Sequence, residues 1–155
     1  MICSMKIYSL GTSNRSIEEF MGILKAYGIE VATDVRSFPQ SRFPHFQRAA
    51  LTHLLRKGGI SYAYLGEELG GYRRGGYESY VDTLSYKQGL EKLEEIAKGK
   101  TTAFFCAEKL AWRCHRRFIG STLKERGWEV VHIIEEGKIW HPRTRAAIGP
   151  GGGKD

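Results

Sequence analysis

Side-chain amides are nearly missing: the 155 residues hold one asparagine, Asn14, and three glutamines. Poverty in thermolabile amides is a thermophile signature. Cysteine is scarce as well. Cys3, Cys106 and Cys114 are too few, with one at the N-terminus, for a disulfide framework. No apolar run approaches the ~20 residues that a bilayer span needs, which excludes an integral helical membrane protein. Neither a basic leader nor a long apolar stretch opens the chain, so no secretory signal is expected and the cytoplasm is the expected compartment. Thiols are normally reduced there; a hyperthermophile cytosol would admit a Cys106–Cys114 disulfide.

Enough apolar side chains are present for one domain. Hydrophobic residues make up 41% and charged residues 26%, which excludes disorder, collagen and coiled coil. Positive charge dominates: 24 Lys and Arg against 17 Asp and Glu leave a net charge of +7, and 13 of the cations are arginine. An arginine-rich surface suits phosphate and carboxylate recognition. The expected partner is therefore an anion, such as a nucleotide or nucleic acid, with no membrane; the pattern specifies no oligomeric state.

The periodicity predicts strands over residues 6–10, 30–35, 60–65, 101–105 and 129–134. Helices are expected over 16–27, 47–57, 85–98 and 111–126. Ser16 with Glu19 makes a capping box for the first, and Gly28 stops it. Residues 66–80, with five glycines, two arginines and three tyrosines, read as a mobile loop or lid. The tail from residue 136 reads as frayed. Strands alternating with helices imply a single α/β domain over 1–155, its core at about 6–134, with a mostly parallel sheet of about five strands and helices on both faces.

In such sheets ligands bind beyond the carboxyl ends of the strands. The polar clusters fall there. After the first strand come Asn14 and Arg15, where a helix N-terminus could receive an anion or a plain turn could cap the helix. After the second come Asp34 and Arg36, either a structural ion pair or an arginine oriented into a pocket. Arg42 and His45 follow in a proline-fixed loop. The densest cluster, residues 106–117, follows the fourth strand. From 109 to 126 six cations face one acid, and Arg113, Arg116, Arg117 and Lys124 approach helical spacing, which predicts a basic helix face.

Four readings of that cluster stand side by side. Cys106, at a strand end facing arginines, could be a thiolate nucleophile, as in cysteine phosphatases and sulfurtransferases. The phosphatase spacing differs, because six residues rather than five separate Cys106 from Arg113, and Glu108 would repel a phosphate. Cys106, Glu108, Cys114 and His115 are zinc-type donors, but without paired spacing, so no metal or cofactor is implied. Glu108 and His115 could move protons beside an anion clamped by Arg36 and Arg116. The cysteines could simply pack. The leading expectation is an anion pocket lined by Asn14, Arg15, Asp34, Arg36 and Arg116, with Glu108, His115 and Cys106 as catalytic candidates. Arg73 and Arg74 in the tyrosine-rich loop would add nucleic-acid contacts. A non-catalytic nucleic-acid or protein-interaction module and a Cys-dependent phosphatase or sulfurtransferase are the alternatives.

Several stretches together carry a family resemblance: Gly11 to Ser16, Asp34 to Pro39, Leu69 to Gly71, Cys106 to Lys109 and Cys114 to Arg116. On these the chain resembles the bacterial and archaeal family called domain of unknown function 488, from about Lys6 to Ile134. Its C-A-E and C-H-R signature maps to Cys106–Glu108 and Cys114–Arg116, leaving Arg113 and Arg117 outside. The resemblance implies an α/β fold and brings no substrate or reaction.

Overall fold

The computed structural model describes residues 5–142. Lys6–Gly11 (β1) leads through Ile17–Ala26 (α1) to Val31–Asp34 (β2), then through Arg48–Lys57 (α2) to Ser61–Tyr64 (β3). Two single-turn helices, Gly66–Leu69 (α3) and Tyr77–Tyr80 (α4), precede the long helix Leu84–Gly99 (α5). Thr102–Cys106 (β4), Arg116–Glu125 (α6), Glu129–Glu135 (β5) and Lys138–Trp140 (β6) complete the chain. The six strands form one sheet in the order β3-β2-β4-β1-β5-β6. All neighbours are parallel except β5 and β6.

The expected α/β architecture is present, with one strand more than the hydrophobic pattern predicts. Lys138–Trp140 turns back beside β5, so part of the expected frayed tail is ordered. Its alternation over three residues is too short to register as a period; backbone pairing with β5 supplies what the pattern lacks. The rest of that tail, residues 143–155, lies outside the described residues.

Strand alternation splits the core in two. Phe105 of β4, with Leu10, Ala32 and Val131, packs under α1 and α2 through Phe20, Leu24, Leu51 and Leu55. Phe104 and Cys106, of opposite parity, pack with Ile7 and Val130 under α5 and α6 through Leu90, Leu93, Ile119 and Leu123. Every residue of β4 is buried, as a central parallel strand requires.

The connections fix where a site can form. α1 leaves β1 over one face, and α6 leaves β4 over the other. β1 and β4 are neighbours, with Gly11 opposite Cys106. Their carboxyl ends therefore flank the topological switch point of the sheet, the crevice where α/β proteins seat ligands. Gly11 is required there: a Cβ would come 1.8 Å from the Glu108 carbonyl oxygen.

The expected element-free loop over 66–80 is a correction: it contains α3 and α4. Its own groups hold it: Tyr77 Oη donates to Leu69 O, Tyr80 Oη to Glu68 O, and Tyr72 N–H to Ser37 Oγ. Glycine content suggested freedom, but the glycines let chain segments approach closely. A Cβ on Gly70 would sit 2.3 Å from Ser37 Oγ. Among the described residues no helix is long and apolar enough to cross a membrane.

Candidate functional site: a thiol pair at the switch point

Cys106 is the last residue of β4, and Cys114 caps the short 3₁₀ turn Ala111–Arg113 that precedes α6. The intervening loop folds back, and the two sulfurs stand 3.5 Å apart. Both thiols are free; Cys106 is buried and Cys114 half-buried. The Glu108 carboxylate accepts from Leu110 N–H at 3.1 Å, which closes the loop rather than facing a ligand.

Arg116 opens α6 and points inward. Its side chain is fully buried. Nε donates to Cys106 Sγ at 3.0 Å, Nη1 to Ser9 Oγ at 2.9 Å, and Nη2 to the Glu108 carbonyl. Ser9 Oγ lies 2.5 Å from His132 Nδ1. The Ser9 hydroxyl accepts from Arg116 and shares a second hydrogen bond with the ring of His132. Burial first, then the Arg116 charge, lowers the His132 pKa to about 3.

His115 Nε2 lies 3.0 Å from Val35 O, and because a carbonyl only accepts, that nitrogen carries the proton. Nδ1 then presents a lone pair. Burial holds the His115 pKa below its ordinary value despite the Cys106 charge. Gly71 closes over this ring: a Cβ there would approach Nδ1 to 2.5 Å.

The pair divides its proton unevenly. Burial by itself would raise the Cys106 pKa. The hydrogen bond from Cys114, with the charge and hydrogen bond of Arg116, outweighs it and holds Cys106 well below the ordinary thiol range. The same hydrogen bond, with burial, pushes the Cys114 thiol up. The arrangement favours the negative charge on Cys106, with Cys114 as donor across the pair. A groove of about 550 Å³ opens over the Cys114 side, lined by Tyr72, Trp112, Arg113, Cys114, His115 and Arg117 among others.

One nitrogen of His115 and the two sulfurs lie within 4.8 Å of one another, a donor set that zinc takes. The fixed charge of Arg116, 3.0 Å from one sulfur, opposes a divalent cation there.

The other sequence candidates are placed as follows. Asp34 and Arg36 form the structural ion pair: Arg36 Nε and Nη2 each donate to the carboxylate at 2.8 Å, and Nη1 donates to Phe46 O. Tyr62 Oη donates to the same carboxylate at 2.6 Å. Arg15 is buried as a brace between Gly11 O and Ile134 O. Asn14 is exposed beside Ser13. Arg73 binds the carbonyls of Gly70 and Glu67 and lies over the Tyr80 ring; Arg74 is exposed. The expected basic helix face loses Arg116 to the interior, because α6 starts only at that residue and turns it toward Cys106. Ser9 and His132 escaped the sequence reading. Their signal was a polar residue within each of two apolar strands, and the register sets them opposite one another.

The family model described as "Domain of unknown function DUF488" matches residues 16–123, more than half of the chain, and includes both signature segments. No curated protein and no solved structure matches the chain.

Proposed function

The chain belongs to the DUF488 family, whose description assigns no activity, and from its own side chains we propose that it is a dithiol enzyme exchanging electrons with a substrate disulfide. The observation that carries this reading is the sulfur pair, 3.5 Å apart, with Arg116 donating to one member at 3.0 Å. A thiolate stabilised by a cation beside a second thiol is the equipment of thiol–disulfide exchange.

Cys114 lines the groove and Cys106 is buried behind it, so a substrate meets Cys114 first. The resting negative charge lies on Cys106, so the Cys114 proton first crosses the 3.5 Å contact to it, against the resting preference of the pair, and the Cys114 thiolate so formed attacks one sulfur of the substrate disulfide. The substrate S–S bond breaks, a mixed disulfide forms on Cys114, and the first thiolate leaves with a proton from the site. Cys106, again a thiolate against Arg116, then attacks Cys114 Sγ. The mixed bond breaks and the second thiolate departs. Two electrons pass from the dithiol to the substrate.

Phosphoryl transfer to Cys106 is less well supported. An anion cradle needs free donors, and the Arg116 guanidinium is engaged by Ser9, Cys106 and Glu108. Acid–base work by Glu108 meets the same objection, since its carboxylate holds the loop.

The experiment is trapping. In a Cys3→Ser background, Cys106→Ser is expected to accumulate a stable mixed disulfide on Cys114, seen by intact mass. Cys114→Ser is expected to accumulate none, and the parent pair should end as an internal disulfide. Equal labelling of Cys106 and Cys114 in the single variants, or no internal disulfide in the parent, overturns the reading.

A further inference from the structure

Resting on the dithiol reading, we infer that the groove selects small disulfides carrying carboxylate groups. Its lining is unbalanced in charge. Arg113 and Arg117 both line it, both are exposed, and no acidic side chain does. Neither arginine has a carboxylate partner among the described residues; Arg117 lies over the Phe118 ring, with Cζ 4.5 Å from the centroid. Such cations are free to meet a ligand. The adjoining hollow, of about 470 Å³, contains Glu78 and Asp82 and shares Arg117 and Phe118. An anion is therefore drawn to the Cys114 side of Arg117 and repelled from the far side.

The walls add a second constraint. Trp112 and Tyr72 line the groove, and Tyr72 is 77% exposed with its ring 5.7 Å from that of the exposed Phe38. Exposed aromatic faces flanking a thiol favour a flat or apolar group beside the carboxylate. His115 is neutral and adds no competing charge. The volume suits a small molecule better than a folded partner. Field focusing by like-signed groups at a cleft raises capture rates tenfold or more.

Two aromatic disulfides that differ in charge provide the probes. Dithiobis(nitrobenzoate) carries a carboxylate on each half; dithiodipyridine is neutral. Second-order rates for the Cys3→Ser protein are measured with each and divided by those of mercaptoethanol, a neutral thiol, at the same pH. The normalised rate for the anionic probe is expected to exceed that for the neutral one roughly tenfold. The excess should shrink as salt is added, in the unaltered groove. It should vanish in Arg113→Gln/Arg117→Gln, whose exposed positions leave folding intact. Equal normalised rates overturn the selectivity and leave the dithiol reading standing. An excess that survives both substitutions removes the assignment to these arginines. Reaction of neither probe at Cys114 sinks the dithiol reading, and this inference with it.

Discussion

Arg116 is the residue on which the site turns. It is a fully buried cation whose donors meet a thiol sulfur, a hydroxyl and a carbonyl. Its counter-charge is Cys106, whose thiolate form it favours. Burial would lower the Arg116 pKa, and the charge and hydrogen bond of Cys106 reverse that. Arg116→Met should therefore return Cys106 to the thiol form, moving the midpoint of the thiolate absorbance upward in a pH titration. An unchanged midpoint would mean that the arginine is only a packing group. Gly71 makes a second residue-scale case. Gly71→Ala drives a methyl into the His115 ring. We expect slower reaction of Cys114 with dithiobis(nitrobenzoate) and a stability loss of ~1–3 kcal/mol, typical of overpacking, in urea unfolding. Wild-type behaviour on both measures would contradict the close approach.

Elements are tied together by polar groups as well as by apolar faces. Glu94 on α5 accepts from Trp128 Nε1 at 2.9 Å, at the entrance to β5, and from Arg126 Nε and Nη2 at 2.9 and 2.7 Å, beyond α6. The Arg126 bond, with Trp128, holds the Glu94 carboxyl below its ordinary pKa despite partial burial. Glu94→Ala removes the acceptor of a buried indole N–H, and the unpaired donor costs ~1–3 kcal/mol. That loss should appear as a lower urea midpoint with an unchanged slope. A neutral result would show that water replaces the carboxylate. At the other crossing, Gly11→Ala presses on the backbone of the loop that presents Cys106. A backbone atom cannot rotate away, so this variant should lose both stability and thiol reactivity.

Acid should weaken the whole molecule through its buried histidines. His132 has a native pKa of about 3, whereas an unfolded histidine titrates near 6.5. His115 is shifted in the same direction. Below pH 6.5 the unfolded chain binds protons that the native chain refuses, so stability falls as pH falls. Each group contributes up to ~1.4 kcal/mol per pH unit across its window, which for His132 runs from 6.5 down to about 3. Urea midpoints measured from neutral pH downward should show this decline. His132→Gln should flatten it, and a decline equally steep in that variant would place its origin elsewhere.

Sequence alone determined five of the six strands and the long helices, though not where α6 begins, because periodicity and helix stops are local. The strand TTAFF reads as buried from its own five residues, and Ser16 and Glu19 mark a helix start without reference to anything distant. It also determined that polar residues follow β1, β2 and β4. What it could not determine is which arginine faces a ligand. Arg15, Arg36 and Arg116 look alike in the sequence, yet each is turned inward toward acceptors supplied by other segments: Ile134 O, Phe46 O and Ser9 Oγ. Arg113 and Arg117, outside the signature, keep their charge in the groove. The thiol pair was undecided for the same reason. Cys106 and Cys114 are separated by seven residues, and only the fold of their loop against Gly11 and Arg116 sets the sulfurs 3.5 Å apart. Side-chain direction is a property of through-space partners, and those come together only when the sheet closes.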